Sequence, residues 1–320
     1  MASFTNALIV LTLAVLIDLI LGEPPLRLHP TVIMGKLISG GIRMAKGRSP
    51  RVQKTYGAVL ALGTVTAFAG ASYLILWVAQ LFGEPVQIVM GALLLKPTFS
   101  IRLMHTYASK LAFSVQRGDW AEARSILRYI VRRDPNRLSE SQVISAGVES
   151  VAESTTDGIT SPLLYYALFG VPGALAYRAI NTLDSMVGYK NPEFIHIGWF
   201  SARLDSVANW LPARLTSVFT FISAALIGQS ASGSWRILRR DRNRTESWNA
   251  GWMMSAMAGA LKIQLEKPGF YVLGDRDEKL THKHLVKATR IMTLNTAFFM
   301  LLVTLPIMLG VEKVNGIIGR

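Results

Sequence analysis

The stretch VESVAESTTDG sets three carboxylates, Glu149, Glu153 and Asp157, four residues apart. On a helix such positions are neighbours on one face, about 5–6 Å apart at Cβ, and each like-charge pair costs a few tenths of a kcal/mol. A cation would offset that repulsion. Hard oxygen ligands of this kind suit Mg²⁺, which keeps several waters and takes one or two carboxylates plus substrate phosphates. The plain alternative is a solvated helix face. That alternative weakens here, because only 20 of 320 residues are Asp or Glu and the neighbouring segments are rich in arginine.

Two further clusters follow. AINTLDSMVGYK carries Asn181 and Asp184 three residues apart, then Gly188, Tyr189 and Lys190. GWFSARLDSVANWLPAR carries Arg203, Asp205, Asn209 and Arg214 among Trp199, Phe200, Leu204, Val207, Trp210 and Leu211. The second is too polar for a plain span and too apolar for an ordinary loop. Ionisable groups at membrane depth are costly and face a cavity or pair with each other. Structural salt bridges, Arg203 with Asp184 or Asp205, are the competing account. Other chemistries lack their signatures. Pro30 stands where a phosphate-binding loop ending in Gly35-Lys36 needs its first glycine. No H-E-x-x-H occurs, and His29, His105, His196, His282 and His284 are scattered, so each is assigned to surface or packing. Ser161-Pro162 lacks a nucleophile elbow. The absence of cysteine removes disulfides, thiolate metal ligands and a Cys nucleophile.

The elements that must position these residues are helical. Charged residues make up 17% of the chain, against about 25% in soluble domains, and the mean hydropathy is +0.34. A spanning helix needs about 20 mostly apolar residues, and residues 4–21, 56–82 and 292–309 qualify. Residues 86–104 and 215–228 are apolar over part of that length and read as spans, re-entrant pieces or buried helices; Lys96-Pro97 interrupts the first. The chain opens without a basic n-region or a clear cleavage site, so its first apolar stretch reads as an uncleaved anchor. Phe82-Gly83-Glu84-Pro85 reads as the tight turn of a helical hairpin. Asp119 is expected to cap a helix with Trp120, Ala123, Leu127, Ile130 and Val131 on one side and Arg124, Arg128 and Arg132 on the other. Ser139 and Gln142 form a capping box, with Leu138 and Val143 as a staple, opening the helix that carries the first acidic cluster. On that helix Ile144, Val148 and Val151 form the apolar stripe, Gln142, Ser145, Glu149, Glu153 and Thr156 face away from it, and Gly158 is the expected stop. Strand-like alternation is absent. The fold expected is an all-α, polytopic integral membrane protein, a single membrane-embedded domain with a polar region over residues 105–214.

Lys and Arg number 34, for a formal charge of +14, which suits nucleic acid, an anionic lipid surface or a phosphorylated substrate. Basic residues concentrate in four polar segments, 36–54, 102–137, 236–244 and 276–290. The positive-inside rule sends all four to the cytoplasm and the N-terminus outside. Residues 163–180 and 215–228 must then both cross or both remain in the cytoplasmic half, and the polar residues between them favour the second arrangement.

The order of these blocks resembles one family. Asp18, Gly22-Glu23-Pro24, His29-Pro30 and Gly35 are followed by VESVAESTTDGITSPLLYYALFGVPGALAYRAINTLDSMVGYK, by GWFSARLDSVANWLPARLT, and by Asn249-Ala250-Gly251 with Ala256-Met257-Ala258-Gly259-Ala260-Leu261. Over roughly residues 18–274 this resembles adenosylcobinamide-phosphate synthase of the CbiB/CobD family. Glu23, Thr31, Ser154 and Trp248 depart from the family's usual wording, and the last two bear on the fine shape of a pocket.

The resemblance implies a multi-pass cell-membrane enzyme of late cobalamin assembly with its active site facing the cytoplasm. It would join a corrinoid carboxyl, that of adenosylcobyric acid, to the amine of an aminoalcohol phosphate, (R)-1-amino-2-propanol O-2-phosphate, using ATP and Mg²⁺. On that reading Glu149, Glu153, Asp157 and Asp184 ligate Mg²⁺ directly or through water. Arg203, Arg214 and Lys190 take phosphate oxygens, and Asn181, Asn209, Asp205 and Asn249 complete the substrate-binding set. Trp199, Trp210, Trp248, Trp252 and Tyr271 either offer apolar surface to the corrinoid or anchor the protein at the interface. Membrane lipid is a partner and nucleic acid is not; a homo-oligomer or association with other late cobalamin-assembly membrane enzymes is expected. The competing functions are a Mg²⁺-dependent membrane transferase acting on a lipid diphosphate and a membrane transporter.

Overall fold

A computed structural model of the chain describes residues 3–27 and 29–318. In chain order it forms α1 (Phe4–Leu21), α2 (Pro30–Ala45), α3 (Pro50–Leu81), α4 (Glu84–Leu95), α5 (Ile101–Gln116), α6 (Trp120–Leu127), α7 (Glu140–Thr155), α8 (Ser161–Val187), α9 (Trp199–Ala208), α10 (Trp210–Leu226), α11 (Ala231–Asp241) and α12 (Ala250–Leu261). There follow a hairpin of β1 (Leu265–Lys267) and β2 (Tyr271–Leu273), then α13 (His282–Phe299) and α14 (Leu305–Ile318). The protein is an all-α, multi-pass membrane protein. Among the described residues five helical runs are long and apolar enough to cross a bilayer: Phe4–Leu21, Pro50–Leu81, Glu84–Gln116, Glu140–Val187 and His282–Val314. The first and last contain the spans expected at 4–21 and 292–309, and the second covers the one expected at 56–82 except for Phe82, its cap.

Residues 86–104 lie in the third run, which is broken at the short 3₁₀ turn Lys96–Thr98. Pro97 supplies no N–H there and cannot continue the ladder. Of residues 215–228, all but the last two belong to the shorter apolar helix α10. Residues 163–180 were expected to stay out of the spanning set, yet they sit in α8, within a run of sufficient length. That run is 67% buried inside the protein over its apolar window, against 22% for α1 and 17% for α3. α1 and α3 thus leave most of their apolar surface uncovered, as suits lipid, whereas the polar-rich run is mostly covered by protein.

The chain divides into two compact units. The first comprises residues 1–100, 161–208 and 301–320. Its α3 and α4 form the expected hairpin, with Gly83 at φ 105° in the turn. α8 packs on α3, α2 and α9. Tyr177, Ile180 and Ala208 form a core closed by Val65, Tyr165 and Leu204. The approach is close: a Cβ on Gly57 of α3 would lie 2.0 Å from the carbonyl oxygen of Ile197.

The second unit comprises residues 101–160 and 209–300. α7 lies in its centre, packed on α5, α6, α12, α13 and β1. Gly147 admits the neighbours, since a Cβ there would stand 2.5 Å from a Leu111 methyl on α5 and 2.7 Å from a Leu285 methyl on α13. α11 and α12 cross through Gly233 and Gly259, where a Cβ on Gly259 would meet the Gly233 carbonyl at 2.2 Å. A buried polar seam joins α10 to α13: Ser223 Oγ donates to Asn295 Oδ1 at 2.6 Å, and Asn295 Nδ2 donates to Thr220 Oγ1 at 2.9 Å.

Local expectations fare unevenly. Asp119 caps α6 by accepting from the Glu122 N–H, and the capping box of Ser139 with Gln142 opens α7. α6 stops at Leu127, so Ile130 and Val131 lie in the turn after it. Gly158 does not end its helix. The chain widens into a π turn over Thr156–Thr160 and runs on as α8. Pro162 has no N–H to offer the preceding turn, and the wider turn accommodates that loss. The same device recurs at Met300–Thr304 before Pro306. The hairpin was missed because three-residue strands are too short to show alternation; the Pro268-Gly269 turn, with Gly269 at φ 77°, was the available signal.

Candidate functional site

In the second unit, much of the polar side of α7 is covered by protein, although Glu153 remains exposed. Ser145, Glu149, Ser150 and Thr156 are buried. Glu149 is the centre of a closed network. Its Oε2 accepts from Arg133 Nη2 at 3.0 Å and from Tyr271 Oη at 2.8 Å, and its Oε1 accepts from Ser145 Oγ at 2.7 Å. The backbone N–H of Glu266 donates to Ser145 Oγ at 2.9 Å, and Arg133 Nη1 donates to the Glu266 carbonyl at 3.3 Å, so the hairpin is tied to the same group. Gln142, which completes the capping box, also donates to Glu266 Oε1 at 2.9 Å. Burial raises the Tyr271 hydroxyl well above its ordinary value, and the charges of Glu149 and Glu153 raise it further, so Tyr271 acts here as a donor.

Glu149 is therefore held from several sides. Charge-assisted bonds from Arg133 and hydroxyl bonds from Ser145 and Tyr271 occupy its oxygens. Glu153 is exposed one turn on, and Asp157, half-buried, stands in the π turn. Among the described residues no three His, Asp or Glu side chains gather as a metal cage. Mg²⁺ does not require one: one or two carboxylates with substrate phosphates suffice, and Glu153 with Asp157 fits that donor count.

The same unit clamps Arg214. Its guanidinium lies 4.1 Å from the ring centre of Trp210 and 4.5 Å from that of Trp252, while Nη1 donates to the Trp210 carbonyl at 2.6 Å and to Asn249 Oδ1 at 3.3 Å. Arg242 covers Trp252 at 5.5 Å. Trp210 and Trp252, for which the sequence offers a corrinoid surface or an interface anchor, both lie against this cation. Asn209 and Asn249 are buried at the starts of α10 and α12.

In the first unit, Asn181 and Asp184 are half-buried on α8, and Lys190 is exposed beyond its end. Gly188 is needed beside Asp184, because a Cβ there would lie 2.0 Å from Asp184 Oδ1. Arg203 stacks on Trp199 at 5.0 Å, with Lys54 on the same ring at 6.0 Å. Asp205 is half-buried on α9.

The first unit also holds a charged cluster that the site reading did not include. Lys96 Nζ lies 2.6 Å from Glu23 Oε2 and 3.2 Å from Asp18 Oδ1, and His29 Nε2 lies 3.1 Å from Glu23 Oε2. Asp18 and Lys96 are buried to within 2%. Burial raises the Glu23 carboxyl, but the hydrogen bonds and charges of His29 and Lys96 outweigh it and hold the group below its ordinary value. His29 is thus no mere packing histidine; its Nδ1 also caps α2. His284 likewise caps α13 and meets Glu278 at 3.2 Å. An acid inside an apolar stretch and a lysine inside another were the signals, since buried charges need partners.

The chain matches the family described as CobD/Cbib protein over residues 11–300. It is 41% identical over 292 residues to the probable cobalamin biosynthesis protein CobD of Methanothermobacter thermautotrophicus, covering 91% of this chain and 95% of that one. It is 42% identical over 267 residues to the cobalamin biosynthesis protein CobD of Geobacter metallireducens, 83% of this chain and 84% of the other. The protein of that name from Dehalococcoides mccartyi is 39% identical over 272 residues, 84% and 87%. No solved structure matches. A match that takes in nearly the whole chain, with relatives aligned along most of their own length, means that the chain belongs to the CobD/CbiB family.

Proposed function

We propose that this protein is the adenosylcobinamide-phosphate synthase of cobalamin biosynthesis, an ATP-dependent amide ligase that joins adenosylcobyric acid to (R)-1-amino-2-propanol O-2-phosphate. The observation that carries the reading is family membership along nearly the full chain, joined to the way α7 is built. Arg133, Tyr271 and Ser145 neutralise and immobilise Glu149, and that anchor fixes the helix that carries Glu153 one turn on and leads into the π turn that carries Asp157.

A carboxylate is a poor acyl donor. In the proposed reaction a substrate carboxylate oxygen attacks the γ-phosphorus of ATP, the bond to ADP breaks, and an acyl phosphate forms. The amine of the second substrate then attacks the carbonyl carbon, inorganic phosphate leaves, and an acid of the site takes the amine proton. Mg²⁺, when bound, supplies charge neutralisation and alignment of the phosphates. Glu153 and Asp157 are assigned to hold it, and Glu149 is reassigned from ligand to anchor. Arg214, flattened between two indoles, offers a preorganised fork to phosphate. In the first unit, Asp184, Asn181, Asp205, Arg203 and Lys190 are proposed to bind phosphorylated substrate.

The test is ATP hydrolysis by detergent-solubilised protein, with the amide product weighed by mass spectrometry. Hydrolysis should require both the corrinoid carboxylate and the aminoalcohol phosphate, and Glu153→Gln should abolish turnover and weaken Mg²⁺ binding measured calorimetrically. Hydrolysis indifferent to either substrate, or a fully active Glu153→Gln protein, would overturn the assignment.

A further inference from the structure

The first unit contains a cavity of about 770 Å³, lined by residues of α1, α3, α4, α8 and α14, none of which belongs to the site proposed above. Its size lies within the range of small-molecule sites, roughly 300–1,000 Å³. Its layering is consistent on α1, α3 and α4. Near the ends of these helices the lining is polar, with Asn6, Gln80, Glu84 and Gln87, and Glu312, midway along α14, joins this layer by accepting from the Phe4 N–H at the start of α1. One turn deeper it becomes apolar, with Val10, Leu76, Ile88, Gly91 and Met308.

The wall supplied by α8 is broken. Gly170 adopts φ 67° and ψ −159°, and Pro172 follows it. Irregular backbone at membrane depth is tolerated where it is buried in protein or lines a cavity, and discontinuous spanning helices mark binding sites. Tyr166 Oη, donating to the Ala7 carbonyl at 2.7 Å, braces this wall against α1. Tyr73, Trp77 and Phe169 also line the cavity while remaining exposed.

Charge specifies the occupant. In a chain of formal charge +14, the described lining carries two carboxylates, Glu84 and Glu312, and neither lysine nor arginine. Both acids are held in place: Asn6 Nδ2 donates to Glu84 Oε1, and the Phe4 N–H donates to Glu312 Oε1 at 2.8 Å. Gln80 and Gln87 add amide donors beside them. The cavity opens at the ends of α1 and α3 opposite the stretch 36–54, which carries six Lys/Arg and no acid. By the positive-inside rule that is the outer leaflet.

We infer that this cavity binds one phospholipid whose headgroup carries a primary ammonium, a phosphatidylethanolamine-type lipid. An acyl chain fills the apolar depth, the ammonium meets Glu84 and Glu312, and the amides of Gln80 and Gln87 face the phosphodiester.

The test is native mass spectrometry of the full chain ejected from nanodiscs of phosphatidylcholine doped equally with phosphatidylethanolamine and phosphatidylglycerol. One phosphatidylethanolamine should survive, enriched about tenfold over either competitor, since a charge-assisted hydrogen bond contributes about the corresponding 1.4 kcal/mol or more. The double variant Glu84→Gln, Glu312→Gln should lose the preference, and Ile88→Trp, which fills the cavity, should lose the adduct with helicity intact. Leu76→Trp serves the same purpose if Ile88→Trp does not fold. Retention of phosphatidylglycerol or phosphatidylcholine at equal levels, an unchanged preference in the double variant, or an adduct that survives the tryptophan variants would each overturn the proposal.

Discussion

Replacing Arg133 by Met separates the two roles open to Glu149. Arg133 and Glu149 side chains are 17% and 7% exposed, so the pair is largely shielded from water. The substitution keeps the bulk of the arginine stem but leaves the carboxylate with Ser145 and Tyr271 as its remaining hydrogen-bond donors here. Breaking a buried pair from one side costs about 3–5 kcal/mol, because an uncompensated charge stays behind. At about 2 °C per kcal/mol, the low end for a large chain, the apparent Tm in detergent should fall by about 6–10 °C. Glu149→Gln removes the same charge, and in the Arg133→Met background it should restore much of the loss, giving a coupling energy of about 1.5 kcal/mol or more. Fluorimetric unfolding of the four proteins, with Mg²⁺ affinity measured alongside, reads out both roles. An anchor gives large single losses, strong coupling and Mg²⁺ affinity that survives in the folded fraction. A metal ligand gives a Glu149→Gln protein as stable as the parent that no longer binds Mg²⁺. Additive effects, or a shift under 2 °C for Arg133→Met, would refute the reasoning.

Lys96→Met should destabilise the first unit by a similar about 3–5 kcal/mol, since Asp18 and Glu23 lose their shared cation; adding Asp18→Asn should recover part of it in the same unfolding assay. Burial raises the Asp241 carboxyl, but hydrogen bonds from Arg240 and the Gly274 N–H, with the charges of Arg240 and Arg244, hold it below its ordinary value. A depressed carboxyl stabilises fully above its unfolded value, near 3.8, and loses that contribution as pH falls through the lower folded value. Asp241→Asn should therefore flatten the acid limb of the stability profile, measured by unfolding from about pH 5 downward. Gly188→Ala places a Cβ 2.0 Å from Asp184 Oδ1 and 2.7 Å from its carbonyl oxygen, so Asp184 must move; turnover should fall while expression and helicity persist.

The helical, membrane-embedded class followed from sequence because lipid leaves little choice: backbone groups in hydrocarbon must be satisfied within a segment, so long apolar runs become helices. Capping at Asp119 and Ser139 was legible for the same local reason, since a cap and its partner lie three residues apart. The ordered blocks from Asp18 to Gly274 were enough to point to the family. Spacing on α7 put Glu149, Glu153 and Asp157 on one side but could not say what covers that side. Tertiary structure decided it. Arg133, 16 residues earlier, and Tyr271, 122 residues later, close on Glu149, and the three like acids become one buried anchor, one exposed acid and one acid in a π turn. The Asp18–Lys96 pair and the indole clamp on Arg214 arose in the same way. A period along a helix records which residues share a face; burial and charge pairing depend on which distant element packs there, and that is set only when the chain closes on itself.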